Sequence, residues 1–285
     1  MTYCVAMCLD EGLVCLSDSR TNAGVDHINT FRKMTVFERA GDRVLVLMSA
    51  GNLAITQAVI SLLREHAAVQ DRDSLWNAPT MFECARLVGE TIRGVHRQDA
   101  EALKQFGVDF NASFILCGQV GDEPPRLFNI YAAGNFIEAS IDTPYFQIGE
   151  SKYGKPIVDR IVTSQTSLDE AAKCALISMD STIRSNLSVG LPLDLLIYRR
   201  DELRVARHVS VDWDNPYFDM IHKEWGASLR KVFNALPDPD WSQWPAEDAV
   251  SLPRINAAEG GFSATQHVGA RLFVQMMTAQ RVFLP

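Results

Sequence analysis

The sequence predicts an α+β protein in which two antiparallel sheets pack face to face with helices outside both, a four-layer αββα sandwich. Strand patterns come in consecutive blocks, helical patterns come in pairs between the blocks, and no strand–helix–strand alternation runs along the chain. Consecutive strands joined by short polar turns make antiparallel sheet. Paired helices between such blocks make outer layers rather than crossovers.

The first block opens with YCVAMCL (3–9) and LVCLSDS (13–19), which flank Asp10-Glu11-Gly12 and form a hairpin pattern. FRKMTVFE (31–38) and RVLVLMSA (43–50) follow, separated by the polar turn Ala40-Gly41-Asp42. Over 52–69 the period changes, and apolar residues at 53, 55, 59, 62 and 63 line one helical face. Residues 80–106 form a second long helical pattern, with Thr80 as N-cap and Glu83 three residues on. Strand patterns return in ASFILCGQV (112–120), RLFNIYAAG (126–134) and YFQIG (145–149). A helix is expected over 153–164, with Pro156 in its first turn. Another spans 168–187, opened by Ser167 and Glu170 at capping-box spacing. LDLLIYRR (193–200) and RVARHVSVD (204–212) pair around Asp201-Glu202, and 215–236 ends the series as an amphipathic helix.

Beyond Leu236 the texture shifts. Residues 237–285 hold prolines at 237, 239, 245, 253 and 285 together with Gly260-Gly261. A domain over 1–241 followed by a Pro-rich, partly disordered tail over 242–285 is therefore expected. Within the tail, FSATQHVGARLFVQMM (262–277) suits a short helix docking on a neighbouring subunit.

The chain has 285 residues, a net charge of −8 and a pI near 5.3. That acidity argues against nucleic acid or an anionic membrane as the main partner. No stretch reaches the roughly 20 apolar residues that span a bilayer. The N-terminus carries no basic region before its apolar run, so a soluble cytoplasmic protein is expected. Cys4, Cys8, Cys15, Cys84, Cys117 and Cys174 are scattered through apolar segments without a CxxC pair, as core thiols are in a reducing compartment. His27 and His66 lack metal-ligand spacing, so no metal site is expected.

GESKYGKP (149–156) imitates a phosphate-binding loop. That loop needs a hydroxyl after its lysine to ligate the nucleotide's Mg²⁺, and Pro156 has neither hydroxyl nor N–H. A nucleotide site is excluded on that chemistry, and the antiparallel order agrees.

The chemically suggestive feature is Thr2, directly ahead of the first strand. Removal of Met1 would leave an α-amine beside a hydroxyl on one residue. Such an amine has a pKa of about 7.7 to 8.0 and is partly neutral at pH 7, so it can take the hydroxyl proton. One residue then supplies both nucleophile and base for acyl transfer. The hairpin brings Asp18 back beside the N-terminus, and Lys33 falls on the next strand pattern. A buried lysine there favours the neutral amine and stabilises an alkoxide, while the Asp offsets its desolvation. Ser49-Ala50-Gly51 ends a strand and opens a helix, where an N–H can face an oxyanion.

N-terminal Thr2, the SDSR stretch, Lys33, the SAG before a helix and the later SNLSVG resemble proteasome β-type subunits of the N-terminal-nucleophile hydrolases. MTYCVAM, GLVCLSDSRTNAGVDHI, IGESKYGKPIVDR and MDSTIRSNLSVGLPLDLLIY are more closely similar to the bacterial proteasome-related Anbu family, over about residues 2–241. The resemblance implies Thr2 as nucleophile, Asp18 and Lys33 as its charged helpers, and Gly51 as the oxyanion-hole glycine. It implies substrate contacts at Arg20, Asn22 and Ser49, with Asn22 in the place of a threonine. Glu150 or Ser151 takes the serine that faces the amine. Ser188 matches a further serine, but Ser185 and Val189 replace the Asp and Gly of that motif, which weakens the expected peptidase. The implied function is peptide-bond hydrolysis of a peptide or unfolded protein without a cofactor, by a homo-oligomer forming a ring or an open helix. A catalytically weak or silent assembly protein and a small-amide amidase are the alternatives. The chain has no ATP-binding motif, so an unfoldase would be a separate protein.

Overall fold

The computed structural model describes residues 2–22, 28–69 and 72–243, with 22, 28 and 29 described as backbone only. His27 and the tail beyond 243, including the segment 262–277, lie outside the described residues.

β1 (Tyr3–Leu9) and β2 (Gly12–Asp18) form the expected hairpin, with Leu9 opposite Gly12. A short ribbon follows, β3 (Arg20–Asn22) with β4 (Ile28–Thr30), too brief for alternation to reveal. β5 (Met34–Arg39) and β6 (Arg43–Gly51) come next, then α1 (Leu53–Ala68) and α2 (Met81–Gln105). The second block contains β7 (Ala112–Val120), β8 (Arg126–Ile130), β9 (Phe136–Glu138) and β10 (Tyr145–Gly149). It leads into α3 (Ser151–Ile161), α4 (Leu168–Ser185), β11 (Leu193–Arg199), β12 (Arg207–Val211) and α5 (Pro216–Ala235).

One sheet runs β10-β1-β2-β11-β12 and the other β5-β6-β7-β8-β9, with antiparallel pairing throughout. Three apolar clusters fill the three spaces between layers. Cys4, Ala6, Leu13 and Cys15 meet Val44, Val46, Met48 and Cys117 between the sheets. Leu45, Leu47, Phe114 and Leu116 on the opposite face of the second sheet pack on α1 and α2. Tyr3, Val5, Val14 and Leu16 pack on the helices of the first sheet. Alternate residues of β1, β2, β6 and β7 thus serve opposite cores, the arrangement two-sided burial of a strand requires.

Helix starts follow the local signals. Thr80 Oγ1 accepts the N–H of Glu83 at 3.1 Å, and Ser167 with Glu170 forms a complete capping box. Three of the departures from expectation have visible causes. The strand pattern at FRKMTVFE begins only at Met34, because Arg32 and Lys33 are drawn to Asp194 and Asp18. The pattern at RLFNIYAAG breaks after Ile130 into a turn closed by the Gly134 N–H on the Tyr131 carbonyl. The helix expected at 153–164 starts earlier, at Ser151, so Pro156 stands inside α3 and removes one of its hydrogen bonds.

Contacts divide the chain into two compact units, Met1–Phe233 and Asn234–Pro285. The sandwich is the first. In the second, the described residues 234–243 hold the last residues of α5 and a 3₁₀ turn at Trp241–Gln243. Among the described residues no helix is long and apolar enough to cross a membrane.

Candidate active site

The β1–β2 register sets Cys4 opposite Ser17, and the next step along the hairpin brings Asp18 to Tyr3. The Tyr3 N–H donates to Asp18 Oδ1 at 3.0 Å. On the other side β11 pairs with β2 through Leu193 opposite Asp18, so this carboxylate is completely buried. Lys33 Nζ donates to Asp18 Oδ1 at 2.7 Å and to the Arg20 carbonyl at 2.6 Å. Lys33 lies just ahead of β5 rather than on it, and its carbonyl accepts the Ser49 N–H at 3.0 Å. A third donor, the Gly190 N–H, reaches Asp18 Oδ2 at 3.4 Å. Burial pushes the Asp18 carboxyl above its ordinary value, and the Lys33 ammonium with the two backbone N–H groups pulls it back.

A cavity of about 590 Å³ opens over this pair. Of the residues singled out in the sequence, Thr2, Arg20, Lys33, Ser49, Gly51 and Glu150 line it. Asp18 lies behind Lys33, off the wall. Asn22 ends β3 and is described as backbone only. Ser151 is the first residue of α3 and does not line the cavity. Ser188 is also off the wall, and its hydroxyl donates to Asn186 Oδ1 at 2.6 Å. Its loop is nevertheless tied to the site, because Arg20 Nη1 donates to the Leu187 carbonyl at 3.0 Å. Ser185 ends α4 facing solvent, whereas Val189 is fully buried in the core.

Sequence reading does not single out Thr21, Leu53, Thr56, Asn111 or Ser113, which complete the wall. Asn111 and Ser113 arrive through the β6–β7 register, in which Ala50 faces Ser113. No local motif announces such a long-range pairing. Asn52, the N-cap of α1, was legible as a helix start, and its side chain accepts the Ala54 N–H at 3.0 Å.

GESKYGKP forms the edge of this cavity. Gly149 adopts φ +81°, and a Cβ there would lie 1.9 Å from the Thr2 carbonyl oxygen. The Glu150 N–H donates to that same oxygen at 2.7 Å. Gly154 is also required by close approach, since a Cβ would stand 2.4 Å from the Tyr3 hydroxyl. Lys155 is committed to Asp159 at 2.8 Å and to the Tyr145 hydroxyl at 2.9 Å. The glycines that imitate a phosphate loop seat α3 against β1, and the lysine ties α3 to β10. Gly149→Ala is expected to cost at least about 2 kcal/mol through left-handed strain and the clash with Thr2. A lowered urea midpoint with unchanged slope would record it.

His66 stands in the last turn of α1. Among the described residues no cluster of His, Cys, Asp and Glu is arranged to hold a metal ion.

The proteasome-subunit family profile matches residues 2–191. Among solved structures, Anbu (ancestral beta-subunit) from Yersinia bercovieri is 54% identical with a TM-score of 0.79, over 84% of this chain and 99% of that one. The helical assembly of the Anbu complex from Pseudomonas aeruginosa gives 50% identity and a TM-score of 0.81, over 85% and 100%. An Anbu (Gly-1) mutant from Hyphomicrobium sp. strain MC1 gives 49% and 0.79, over 84% and 100%. No curated protein matches the chain. Identity near one half, sustained across the full length of these relatives, means that the chain belongs to the proteasome-subunit family, within its Anbu group.

Proposed function

We propose that the protein is a threonine-type peptidase whose nucleophile is Thr2, exposed by removal of Met1. The observation that carries this reading is one cavity lined by Thr2 and Lys33, with Lys33 held by the buried carboxylate of Asp18. Asp18 also holds the N–H of Tyr3, the residue joined to Thr2, so nucleophile and cation share one anchor. In this mechanism the Thr2 amine takes the hydroxyl proton, directly or through water, and Oγ1 attacks the substrate carbonyl. The nearby ammonium favours the neutral amine and stabilises the alkoxide. Gly51, at the junction of β6 and α1, faces the developing oxyanion. The amine returns its proton to the leaving amine, and a water it then activates hydrolyses the acyl-enzyme. Glu150 lines the cavity and Ser151 does not, which favours Glu150 for the amine-facing position.

Arg20, Ser49 and Asn22 are assigned to substrate contact on the same reading. Assembly into a homo-oligomer is part of the same proposal, supported by the helical assembly of the Pseudomonas aeruginosa relative, and a cytoplasmic location is proposed with it. Substrates are peptides or unfolded proteins, supplied by a separate unfoldase if one is used. A second reading, a weak or silent assembly protein, is favoured by Ser188, whose hydroxyl is committed to Asn186 away from the cavity.

Intact mass combined with labelling by a threonine-directed electrophile tests the proposal. Loss of Met1 and a single adduct mapped to Thr2 are expected. Retention of Met1, or no adduct on a processed chain, would sink the catalytic reading and leave the assembly protein.

A further inference from the structure

The cavity wall is divided by charge. Around Thr2 it carries Arg20, Lys33 and Glu150. The part supplied by β6, β7 and the start of α1 carries Ser49, Ala50, Gly51, Leu53, Thr56, Asn111 and Ser113, with no ionisable group. The Thr56 hydroxyl is already used, donating to the Leu53 carbonyl at 3.1 Å. The side chains of Ser49, Asn111 and Ser113 have no hydrogen-bond partner among the described residues.

A polar side chain that faces a cavity loses its water when a ligand enters, at a cost of about 1–3 kcal/mol unless the ligand returns a hydrogen bond. Ser49, Asn111 and Ser113 are three such side chains. A hydrocarbon side chain placed there would desolvate them and return nothing. A charged one would meet dipoles but no counter-charge on this part of the wall. A carboxamide both donates and accepts, which matches hydroxyls and an amide that can do either.

The attacked carbonyl lies between Thr2 and Gly51, and the neutral wall begins there, since the Ser49 N–H donates to the Lys33 carbonyl at 3.0 Å, so the side chain of the attacked residue enters this space. We propose that the site selects an uncharged hydrogen-bonding side chain on the acyl side of the scissile bond, Gln or Asn foremost. This rests on the threonine-peptidase reading. The geometry sets it apart from a site for aromatic or long aliphatic residues, whose walls would be apolar.

Binding tests the selection without requiring catalysis. Short peptide acids ending in Gln, Asn, Leu, Phe, Lys or Asp are titrated by calorimetry into the full-length Thr2→Ala protein. Gln and Asn peptides are expected to bind at least about tenfold more tightly than Leu or Phe. Combined Ser49→Ala and Ser113→Ala substitutions should bring the series to within about threefold. Equal or undetectable binding across the set overturns the proposal. So does a preference for Leu or Phe, or one for Lys or Asp, which would mean that Glu150 or Arg20 sets the class. Electrophile labelling of the unmodified protein reports separately on Thr2. A labelled Thr2 with Leu-selective binding removes the inference and keeps the peptidase. An unlabelled Thr2 with Gln-selective binding overturns the peptidase, and the inference with it, leaving only a cavity that prefers a carboxamide.

Discussion

Thr2→Ala is expected to lower kcat/KM for any cleaved peptide by on the order of 10⁴-fold or more, with the fold unchanged. The fold should survive because the tertiary bond made by Thr2 uses its backbone carbonyl, which accepts the Glu150 N–H at 2.7 Å. Alanine keeps that carbonyl and the α-amine and loses only the hydroxyl and methyl. Thr2→Ser keeps the hydroxyl and should restore turnover that Thr2→Ala lacks. The measurement is initial rate on short peptides for both variants, alongside their thermal unfolding. Equal rates in unmodified and Thr2→Ala protein would place the activity elsewhere, whereas equal unfolding curves with a lost rate isolate the hydroxyl. A small-amide substrate turned over in place of peptides would redirect the same chemistry to an amidase.

The sandwich was legible because its two levels of evidence agree: strand blocks alternate with helix pairs, and the starts of α1, α2 and α4 carry their own caps at Asn52, Thr80 and Ser167. The Asp18–Lys33 pair was half legible. Asp18 follows from a hairpin whose turn is written in Asp10-Glu11-Gly12. Lys33 reaches it through bonds to the Arg20 carbonyl and from the Ser49 N–H, which join three separate segments. The β7 side of the neutral wall was not legible, because Ser113 meets Ala50 only through sheet register and Asn111 directly precedes that strand. Pro156 shows tertiary contact overriding a local signal. α3 is fixed from its start by Glu150 on the Thr2 carbonyl and by Gly154 against Tyr3, so it tolerates a proline past its first turn. GESKYGKP mimics a phosphate loop for the same reason. Glycine is needed wherever backbone approaches closely, whatever the ligand.

Lys33→Met should destabilise the protein by about 3–5 kcal/mol, because it leaves the Asp18 carboxylate buried without its cation. Lys33 is 6% exposed and Asp18 0%, so water cannot replace the lost ammonium. Two backbone donors remain, from Tyr3 at 3.0 Å and Gly190 at 3.4 Å, and they compensate only in part. Burial already pushes the Asp18 carboxyl up, and loss of Lys33 removes the strongest opposing influence. In the variant the folded-state pKa therefore rises further above the unfolded value of about 3.9. Between those two values the folded state binds more protons than the unfolded chain, so stability falls as pH rises through the window. The deficit relative to the unmodified protein should accordingly shrink on acidification, which lost packing of the lysine stem would not cause. Asp18→Asn combined with Lys33→Met removes both charges and should recover much of the loss, giving a double-mutant cycle far from additive. Urea unfolding of the four proteins at neutral and acidic pH reads every term. An additive cycle, or a deficit independent of pH, would mean that Lys33 contributes through packing and that its ammonium is not held by a charged Asp18. Turnover should be lost in both variants that carry Lys33→Met, since methionine supplies no cation beside Thr2.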